Sequence, residues 1–485
     1  MGYVRSYFGE FAVLKETGRE FWAIQAINFL DSLYAFAFIL VSTLFLTNNM
    51  GMNDVWAGAA LTWLGIATSI FFFAAGPIVD RYGIKKSLYL SLAIVTVVRI
   101  GMAACGFFTG IPHRDWIFLG LMCLGGLPGA IKGTAYQIGV KRYTTPRSQS
   151  AGFNLWYVIM NVGCFGAGLV VQGIEWAQPH REHKEYVWVI VFGLVTSFLC
   201  FLSAWLFIKT DAQLGEEAGE TASPSPSSTA GKRIGEAWAR GVKYTLEVIR
   251  EPAFARMMVA MTLTLGVRMV FLYWSILSPK YWKRTIGPDA AIGLLNNINP
   301  FIIVIGLLLL VPIINRYKTF NMLVYGCFTS SISLLPMVTP WYWWGSNTTH
   351  AYYVMSIVSM VSFSIGEIMF SPRLSQYILA IAPKGQEGIY SSFAAMPFFV
   401  AKTAVGFLSG VMLMRWCPEK HLLNGVEVPL REVLATRQLP YWQTPEAMWL
   451  ILALAAVAGP IIMVFMKEWF TRVEHHDPTV HRSVH

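Results

Sequence analysis

The sequence predicts an all-α membrane protein whose twelve transmembrane helices form two pseudo-symmetric bundles of six. Three observations lead to this fold class: 55% of the 485 residues are hydrophobic, only 13% are charged, and a short charged turn recurs about half a chain later. A soluble chain normally carries about a quarter charged residues. The composition therefore fits a protein whose solvent is largely lipid.

Spanning helices account for most of the chain. A helix that crosses a bilayer needs about 20 predominantly apolar residues. In the first half this rule selects Phe21–Leu46, Val55–Phe73, Ser87–Phe108, Trp116–Gly139, Ser150–Ile174 and Val187–Ile208. In the second half it selects Arg256–Leu277, Ile292–Ile314, Phe320–Val338, Ala351–Phe370, Ser391–Met414 and Ala447–Phe470. The first segment is too long for a signal peptide and carries Asp31, so we expect it to stay in the protein.

The repeated turn indicates a duplicated chain. "GPIVDRYGIKKSL" begins at Gly76 and "VPIINRYKTFNML" begins at Val311, and each joins the second and third predicted spans of its half. Parallel halves of this kind are typical of transporters with a substrate site between them. We therefore divide the chain into a cytoplasmic segment (1–20), a six-helix bundle (21–208), a linker (209–255), a second bundle (256–470) and a tail (471–485).

The linker combines two kinds of sequence. Residues 211–230 are rich in Ser, Pro, Gly and Glu, which is typical of a flexible segment. The following "GKRIGEAWARGVKYTLEVIREP" has apolar residues at helical spacing with bases between them. We expect this stretch to lie along the cytoplasmic surface of the membrane.

Lysine and arginine set the predicted orientation. The net charge is +10, but the bases are scattered between apolar runs instead of gathered on one face, so we do not expect nucleic-acid binding.

The base-rich side of the membrane, which also holds both termini, is predicted to be cytoplasmic, and the predicted location is a bacterial inner (plasma) membrane. Its short loops contain Arg81, Lys85, Lys86, Lys141, Arg142, Arg147, Arg316, Lys318, Arg373 and Lys384.

The first charged turn resembles the signature of the major facilitator superfamily. The pattern G-x-x-x-D-R-x-G-x-K/R-K/R is matched by Gly76, Asp80, Arg81, Gly83, Lys85 and Lys86. The resemblance implies that Asp80 and Arg81, with Arg316 of the second copy, form a cytoplasmic gate whose ion pairs break and reform during transport. The alternative is that these charges only anchor the loop.

Three longer stretches are similar to the proton-dependent oligopeptide transporter family. "AIKGTAYQIGVKRYTTPRSQSAGFNLWYVIMNVGCFGAG" resembles its fourth and fifth helices, "LLNNINPFIIVIGLLL" its eighth, and "SIGEIMFSPRLSQYILAIAPKGQEGIYSS" its tenth. The matching residues are Lys132, Gly152, Phe153, Trp156, Tyr157, Asn161, Gly163, Asn299, Pro300, Glu367, Ser371 and Pro372. The first helix departs from the family's E-x-x-E-R-F-x-Y-Y, since "NFLDSLYAF" keeps one acid, Asp31, and lacks the Arg. Peptide specificity and proton coupling through this helix therefore stay open.

Six ionisable residues lie within the predicted spans. Each costs at least ~2.5–3.5 kcal/mol at the bilayer centre and is a functional candidate by default. The four bases and two acids are Arg99, Lys132, Arg268, Lys402, Asp31 and Glu367. This excess of bases favours a substrate with a net negative group, unless Arg268 or Lys402 extends to the interface.

Each of these residues has a functional and a structural interpretation. Lys132 binds a substrate anion or pairs with an acid, and Asp31 carries a proton or pairs with Arg99. Glu367 binds a substrate amine and a proton, or forms a buried salt bridge with Lys402 or Arg268. The remaining candidates for the cavity wall, besides Arg268, are Tyr34, Tyr136, Tyr157, Asn161, Asn297 and Asn299; for the aromatic ones, packing is the alternative.

The predicted function is secondary active transport by alternating access. We expect proton-coupled symport of a small zwitterionic or anionic solute such as a short peptide. The alternatives are import or export of a non-peptide organic anion, and a sensor or scaffold that transports nothing. The sequence shows no catalytic triad, metal-ligand cluster or phosphate loop, so we expect neither an enzyme nor a cofactor.

Overall fold

The fold is described from a computed structural model. It describes residues 13–145, 148–179, 184–209, 250–309, 317–381, 393–394, 396–423 and 426–471. Apart from one two-stranded antiparallel hairpin, the regular elements in these ranges are helical. The predicted surface helix of the linker lies outside the described residues.

We call the residues before 210 the N-terminal half and those after 249 the C-terminal half. The helices of the N-terminal half are α1 (Arg19–Asn48), α2 (Asp54–Phe107), α3 (Arg114–Leu124), α4 (Gly126–Arg142), α5 (Gln149–Trp176) and α6 (Val187–Phe207). The C-terminal half begins with α7 (Pro252–Leu263), α8 (Leu265–Ile276), α9 (Ser278–Thr285), α10 (Ile292–Leu309), α11 (Thr319–Ile332), α12 (Leu335–Val338), α13 (Thr348–Ile381) and α14 (Met396–Trp416). It continues with β1 (Lys420–Leu423), β2 (Val426–Pro429), α15 (Leu430–Ala435), α16 (Pro445–Phe465) and α17 (Lys467–Thr471). Short 3-10 turns occupy Val13–Glu16, Trp341–Trp343 and Tyr441–Gln443.

The described residues contain nine helical segments that are long and apolar enough to cross a membrane. Helices α7 and α8, bent by 40°, make a tenth if they form one span. The two other predicted spans coincide in position with α10 and α14, which are not among the nine. The helical membrane fold is therefore confirmed, whereas the number of twelve spans stays a prediction.

A glycine breaks the long helix α2 at the charged turn. Gly83 has φ 75° and ψ 171°, a conformation that L-residues with a side chain rarely adopt. Helix α2 contains two candidate spans, Asp54–Phe72 and Tyr82–Phe107, and Gly83 lies at the start of the second. The turn motif thus places glycine where the backbone leaves helical geometry between two membrane-length segments.

One end of the molecule, which we call the hairpin end, carries the β-hairpin and the loops that contact it. Arg114 donates to the Asn49 carbonyl at 2.9 Å, and Arg284 donates to the Cys417 carbonyl at 2.7 Å. The opposite end, which includes Gly83 and residues 143–145, 209 and 250, is called the linker end.

The two halves share one hydrophobic core at the hairpin end. This core includes Phe45 and Leu61 from the N-terminal half and a stack of tryptophans from the C-terminal half. The ring of Trp274 lies 5.1 Å from Trp449 and 6.1 Å from Trp282. At the linker end the halves have separate cores, one drawn from residues 14–208 and one from residues 254–470.

Glycines bring helices of opposite halves into close contact. A Cβ at Gly410 of α14 would lie 2.3 Å from the Asp54 carbonyl oxygen of α2, and one at Gly293 of α10 would lie 2.2 Å from the Gly168 carbonyl of α5. Small residues allow such close backbone packing between membrane helices. In addition, Thr62 donates to the Thr403 carbonyl at 2.7 Å. These contacts hold α10 and α14 against the N-terminal half.

Candidate functional site

A cavity of about 360 Å³ lies among α1, α2, α3 and α4, with one wall residue from α14. Its charged lining residues are Asp31, Arg99, Lys132 and Lys402. Asp31 is the one acid in this lining, and it accepts a hydrogen bond from the buried ammonium of Lys132. Among the described residues the fold thus brings together the predicted proton carrier and the predicted anion-binding lysine.

Arg99 supports this pair and is itself held firmly. Its guanidinium lies 3.8 Å from Asp31 Oδ1 and 3.6 Å from the centre of the Tyr34 ring. It also donates to the Gly193 carbonyl at 2.6 Å and to Ser197 Oγ. Since Arg99 is only 3% exposed, these contacts fix its charge behind Asp31.

Tyr136 completes the contacts of Asp31. Its hydroxyl lies 3.4 Å from Asp31 Oδ2, and its ring is buried. Asp31 therefore has partners from α2 and α4 while a fifth of its side chain stays exposed. A group in this setting is both held in place and reachable through the cavity.

Lys402 enters the cavity from the other half of the chain. It is half-buried, and within the described ranges its ammonium has no hydrogen-bond or ion-pair partner. The alternative prediction, a salt bridge between Lys402 and Glu367, is likewise not seen among the described residues. Lys402 is therefore a cation that faces a cavity already containing two other cations.

A second polar cluster surrounds Glu367 on α13. Asn299 of α10 donates to Glu367 Oε2 at 2.8 Å and to Ser364 Oγ at 3.1 Å. The Arg268 guanidinium lies 5.5 Å from the centre of the Phe398 ring and, in the described part of the chain, forms no ion pair within 4 Å. Tyr157 of α5 lies close enough to Glu367 and Arg268 to interact electrostatically with both.

Two residues of α1 lie between the clusters. Phe36 and Ile39 line the 360 Å³ cavity and also a second cavity of about 20 Å³, which Asn299 lines as well. The smaller cavity has room for about one water molecule. Phe36 and Ile39 thus lie between the cavity around Asp31 and the small cavity beside Asn299.

Two predicted cavity residues make other contacts. Asn161 donates to the backbone carbonyl of Tyr157 at 2.9 Å. Asn297 is 5% exposed and packs against Gly168, and neither atom of its amide has a partner in the described structure. Asn297 therefore belongs to the contact between α5 and α10.

The predicted gate lies largely outside the described part. Asp80 and Arg81 fall on α2, but their side chains are not among those described, and Arg316 lies outside the described residues. The neighbouring Val79 and Ile84 are buried in the core of the N-terminal half. The gate hypothesis is therefore untested.

A group of ion pairs that the sequence did not predict joins the halves at the hairpin end. Asp54 on α2 lies 2.7 Å from Lys280 and 2.8 Å from Arg284, both on α9. Glu175 on α5 lies 2.8 Å from Lys283. The available signal was the basic run in "SPKYWKRT" directly after an apolar segment, together with an acid at the start of the second span.

Burial changes the acid–base properties of this group. Removal from water lowers the pKa of Lys280 to about 8, against the attraction of Asp54. Burial likewise lowers the pKa of Lys283, against the attraction of Glu175. Both lysines are therefore easier to deprotonate in this conformation than in water. Among the described residues, no group of three or more His, Cys, Asp or Glu side chains is placed to hold a metal ion.

Comparisons with known proteins agree with this architecture. The sequence model of the Major Facilitator Superfamily matches residues 24–405. The chain is 24% identical over 372 residues to the uncharacterized MFS-type transporter YqjV of Bacillus subtilis (strain 168), covering 75% of this chain and 78% of YqjV.

Solved structures with the same fold include several peptide transporters. A peptide transporter POT in complex with sulfate superposes with a TM-score of 0.66 at 16% identity, covering 93% of this chain and 95% of that one. A POT family transporter in complex with 5-aminolevulinic acid gives 0.68 at 12% identity, with 94% and 97% covered. At these identities the likeness shows a common fold.

Proposed function

Because this chain belongs to the Major Facilitator Superfamily, we propose that it is a proton-coupled symporter of a small zwitterionic or anionic solute, such as a short peptide. One observation carries the proposal. In the 360 Å³ cavity, the single lining acid, Asp31, is bound to the buried Lys132. The Asp31 carboxylate binds the same Lys132 ammonium that an anionic substrate needs, and this links proton binding to substrate binding.

The coupling step follows from charge balance. A proton on Asp31 removes its negative charge and releases the Lys132 ammonium, which then binds a carboxylate of the substrate. Without that proton, the substrate anion and Asp31 compete for the same cation, which costs electrostatic free energy in a site of low dielectric constant. Proton and anion therefore bind together, and the net charge of the cavity is the same before and after loading.

Glu367 acts at the other end of the substrate. Asn299 orients its carboxylate, which binds a substrate amine or, in the absence of an amine, a second proton. The solved relatives in complex with sulfate and with 5-aminolevulinic acid support a fold that accommodates anions and small zwitterions.

We assign the hairpin end to the outer face of a bacterial inner membrane and the linker end, with both termini, to the cytoplasm. The concentration of Lys and Arg in the linker-end loops supports this orientation. In this arrangement α10 and α14 complete twelve spans in two bundles, 21–208 and 256–470. The conformation with joined halves at the hairpin end then faces inward. Asp80, Arg81 and Arg316 act at the cytoplasmic gate.

The main alternative is transport of a non-peptide organic anion. The three bases around Asp31 favour it, as does the absence of the family's Arg from "NFLDSLYAF". A sensor or scaffold is the third candidate, and it predicts ligand binding without flux.

The first experiment is a thermal-shift screen of the purified full chain at pH 5.5 and pH 7.5. The probes are di- and tripeptides, amino acids, dicarboxylates and larger organic anions, because a ligand stabilises by RT ln(1 + [L]/Kd). Peptide shifts that disappear in Lys132→Ala and Glu367→Gln but persist in the exposed control Glu432→Gln support the peptide hypothesis. Shifts with organic anions alone contradict it and favour the alternative.

The second experiment measures uptake of a binding probe into proteoliposomes with and without an inward proton gradient. Accumulation above the external concentration that depends on the gradient supports symport. Binding without uptake under either condition contradicts transport and favours the sensor hypothesis.

A further inference from the structure

The cavity around Asp31 carries more positive charge than one substrate carboxylate neutralises. Arg99, Lys132 and Lys402 line it, with Asp31 as the single lining acid. The pair of Asp31 with Lys132 leaves two cations in excess, and a proton on Asp31 leaves three. An excess of this size in a largely apolar lining is unfavourable unless an anion enters.

The three cations differ in their availability to a ligand. The Arg99 guanidinium is held by Gly193, Ser197 and the Tyr34 ring, and Lys132 is bound to Asp31. Among the described residues, the Lys402 ammonium has no such contact. Lys402 is therefore the cation that gains most when an anionic group binds.

The fold brings Lys402 to this place through the contacts of α14 with α2. Thr62 binds the carbonyl of Thr403, the next residue, at 2.7 Å. A Cβ at Gly406, one turn further along α14, would lie 2.7 Å from Thr62 N. Because these two helices pack closely, the backbone of Lys402 has little freedom to move relative to α2. The backbone therefore sets the direction from which the side chain enters the cavity. An extension of its side chain towards the membrane interface would remove it from the cavity, which it lines here.

We propose that Lys402 is a specificity-determining residue that selects substrates with a second negative group, such as a peptide with an acidic side chain or a dicarboxylate. This inference rests on the proposed function. Lys132, released by the protonation of Asp31, binds one carboxylate of the substrate. Lys402 binds the other, so that one substrate bridges the two halves of the chain.

The test compares alanyl-glutamate, alanyl-alanine and glutarate as probes for the purified full chain, with dissociation constants from calorimetry at pH 5.5. In the wild type we expect alanyl-glutamate to bind about tenfold or more tightly than alanyl-alanine, the size of one additional desolvated ion pair. Lys402→Met brings this ratio to about one, mainly through a loss of affinity for alanyl-glutamate. Lys402→Arg retains the ratio, and Lys318→Met, which removes an exposed lysine outside the cavity, has no effect.

Each other outcome has a defined meaning. Equal affinity of the wild type for both peptides, or a ratio unaffected by Lys402→Met, overturns the inference about Lys402. In either case, binding of alanyl-alanine still supports the proposed function. Binding of glutarate alone, weakened in Lys402→Met, supports the role of Lys402 and rejects peptides as substrates. Absence of binding by all three probes overturns both. If Lys402→Met is unfolded, judged by its melting curve without ligand, the ratio in Lys402→Gln decides.

Discussion

Asp54 and Arg284 form a two-point ion pair between the halves, with Nη1 2.8 Å from Oδ2 and Nη2 3.0 Å from Oδ1. Both side chains are nearly buried, and Lys280 shares the same carboxylate. Charged hydrogen bonds of this geometry are short and directional. In the described part of the chain, the ion pairs between the halves lie at the hairpin end.

We expect Asp54→Asn to destabilise the joined hairpin end by about 3–5 kcal/mol, because two buried cations lose their counter-ion. The measurement is the free energy of unfolding together with labelling of a cysteine introduced at Leu44. The matched control is Asp289→Asn, which removes an acid that is 80% exposed and paired with Lys184. Because the Asp289 carboxylate lies in water, we expect this pair to contribute no more than about 1 kcal/mol, so equal effects of the two variants would contradict this role of Asp54.

The low pKa of Lys280 predicts a pH effect of defined sign. Its pKa is about 8 in this conformation but roughly 10.4 in water, so between these pH values the exposed form binds more protons. Stability then rises with pH in that window, because deprotonation removes the cost of the buried charge. We expect the difference in melting temperature between wild type and Lys280→Met to shift in favour of the wild type from pH 8 to pH 10. A difference that is constant or moves the other way would contradict the assignment.

Neutralising Asp31 should make the affinity for anions independent of pH. In Asp31→Asn the Lys132 ammonium loses its bound carboxylate, so we expect a probe anion such as glutarate to bind more tightly at pH 7.5. The affinity should also stop increasing between pH 7.5 and pH 5.5. Tyr136→Phe is the control, since it removes only the hydroxyl 3.4 Å from Asp31 and should keep the pH dependence. Calorimetry of all three proteins at both pH values measures this, and a pH dependence that survives in Asp31→Asn would refute it.

The contact between α2 and α14 predicts a steric effect. Gly410→Ala places a methyl group 2.3 Å from the Asp54 carbonyl oxygen, so we expect a loss of about 1–3 kcal/mol in unfolding free energy. Gly120→Ala has no neighbouring atom within 4 Å and should be neutral or stabilising by up to ~1 kcal/mol, because alanine favours the helix. Urea titration of both variants distinguishes them. A stable Gly410→Ala would show that α2 and α14 are less closely packed.

The sequence predicted the helices and the charges of the site better than their contacts. Apolar segments of bilayer length identify candidate spans by themselves, and a charge inside one of them marks a candidate site. The pair of Asp31 with Lys132 requires α1 to lie beside α4, which periodicity does not specify. The same reason explains Asn297, whose place against Gly168 depends on how the two halves meet.

The ion pairs of Asp54 with Lys280 and Arg284 were missed because their partners lie more than 220 residues apart in the chain. In the sequence, Lys280 and Arg284 resemble ordinary loop charges, and only the tertiary contact of α9 with α2 distinguishes them. The β-hairpin of residues 420–429 was likewise not predicted, since its strands are short and follow a long helical segment. Both features arise from tertiary contacts at one end of the molecule.

The shared tryptophan-rich core at one end and the separate cores at the other have a kinetic consequence. In the alternating access proposed above, opening the shared core exposes its apolar surface to water, so the two access states differ in free energy. Without ligand, most molecules are then in one of the two states. A substrate that arrives at the face open only in the minor state binds with a lower apparent affinity, reduced by the fraction of molecules in that state. Half-saturating concentrations measured from the two faces of the membrane should therefore differ, although the final concentration ratio, fixed by the driving gradient, is the same from either side.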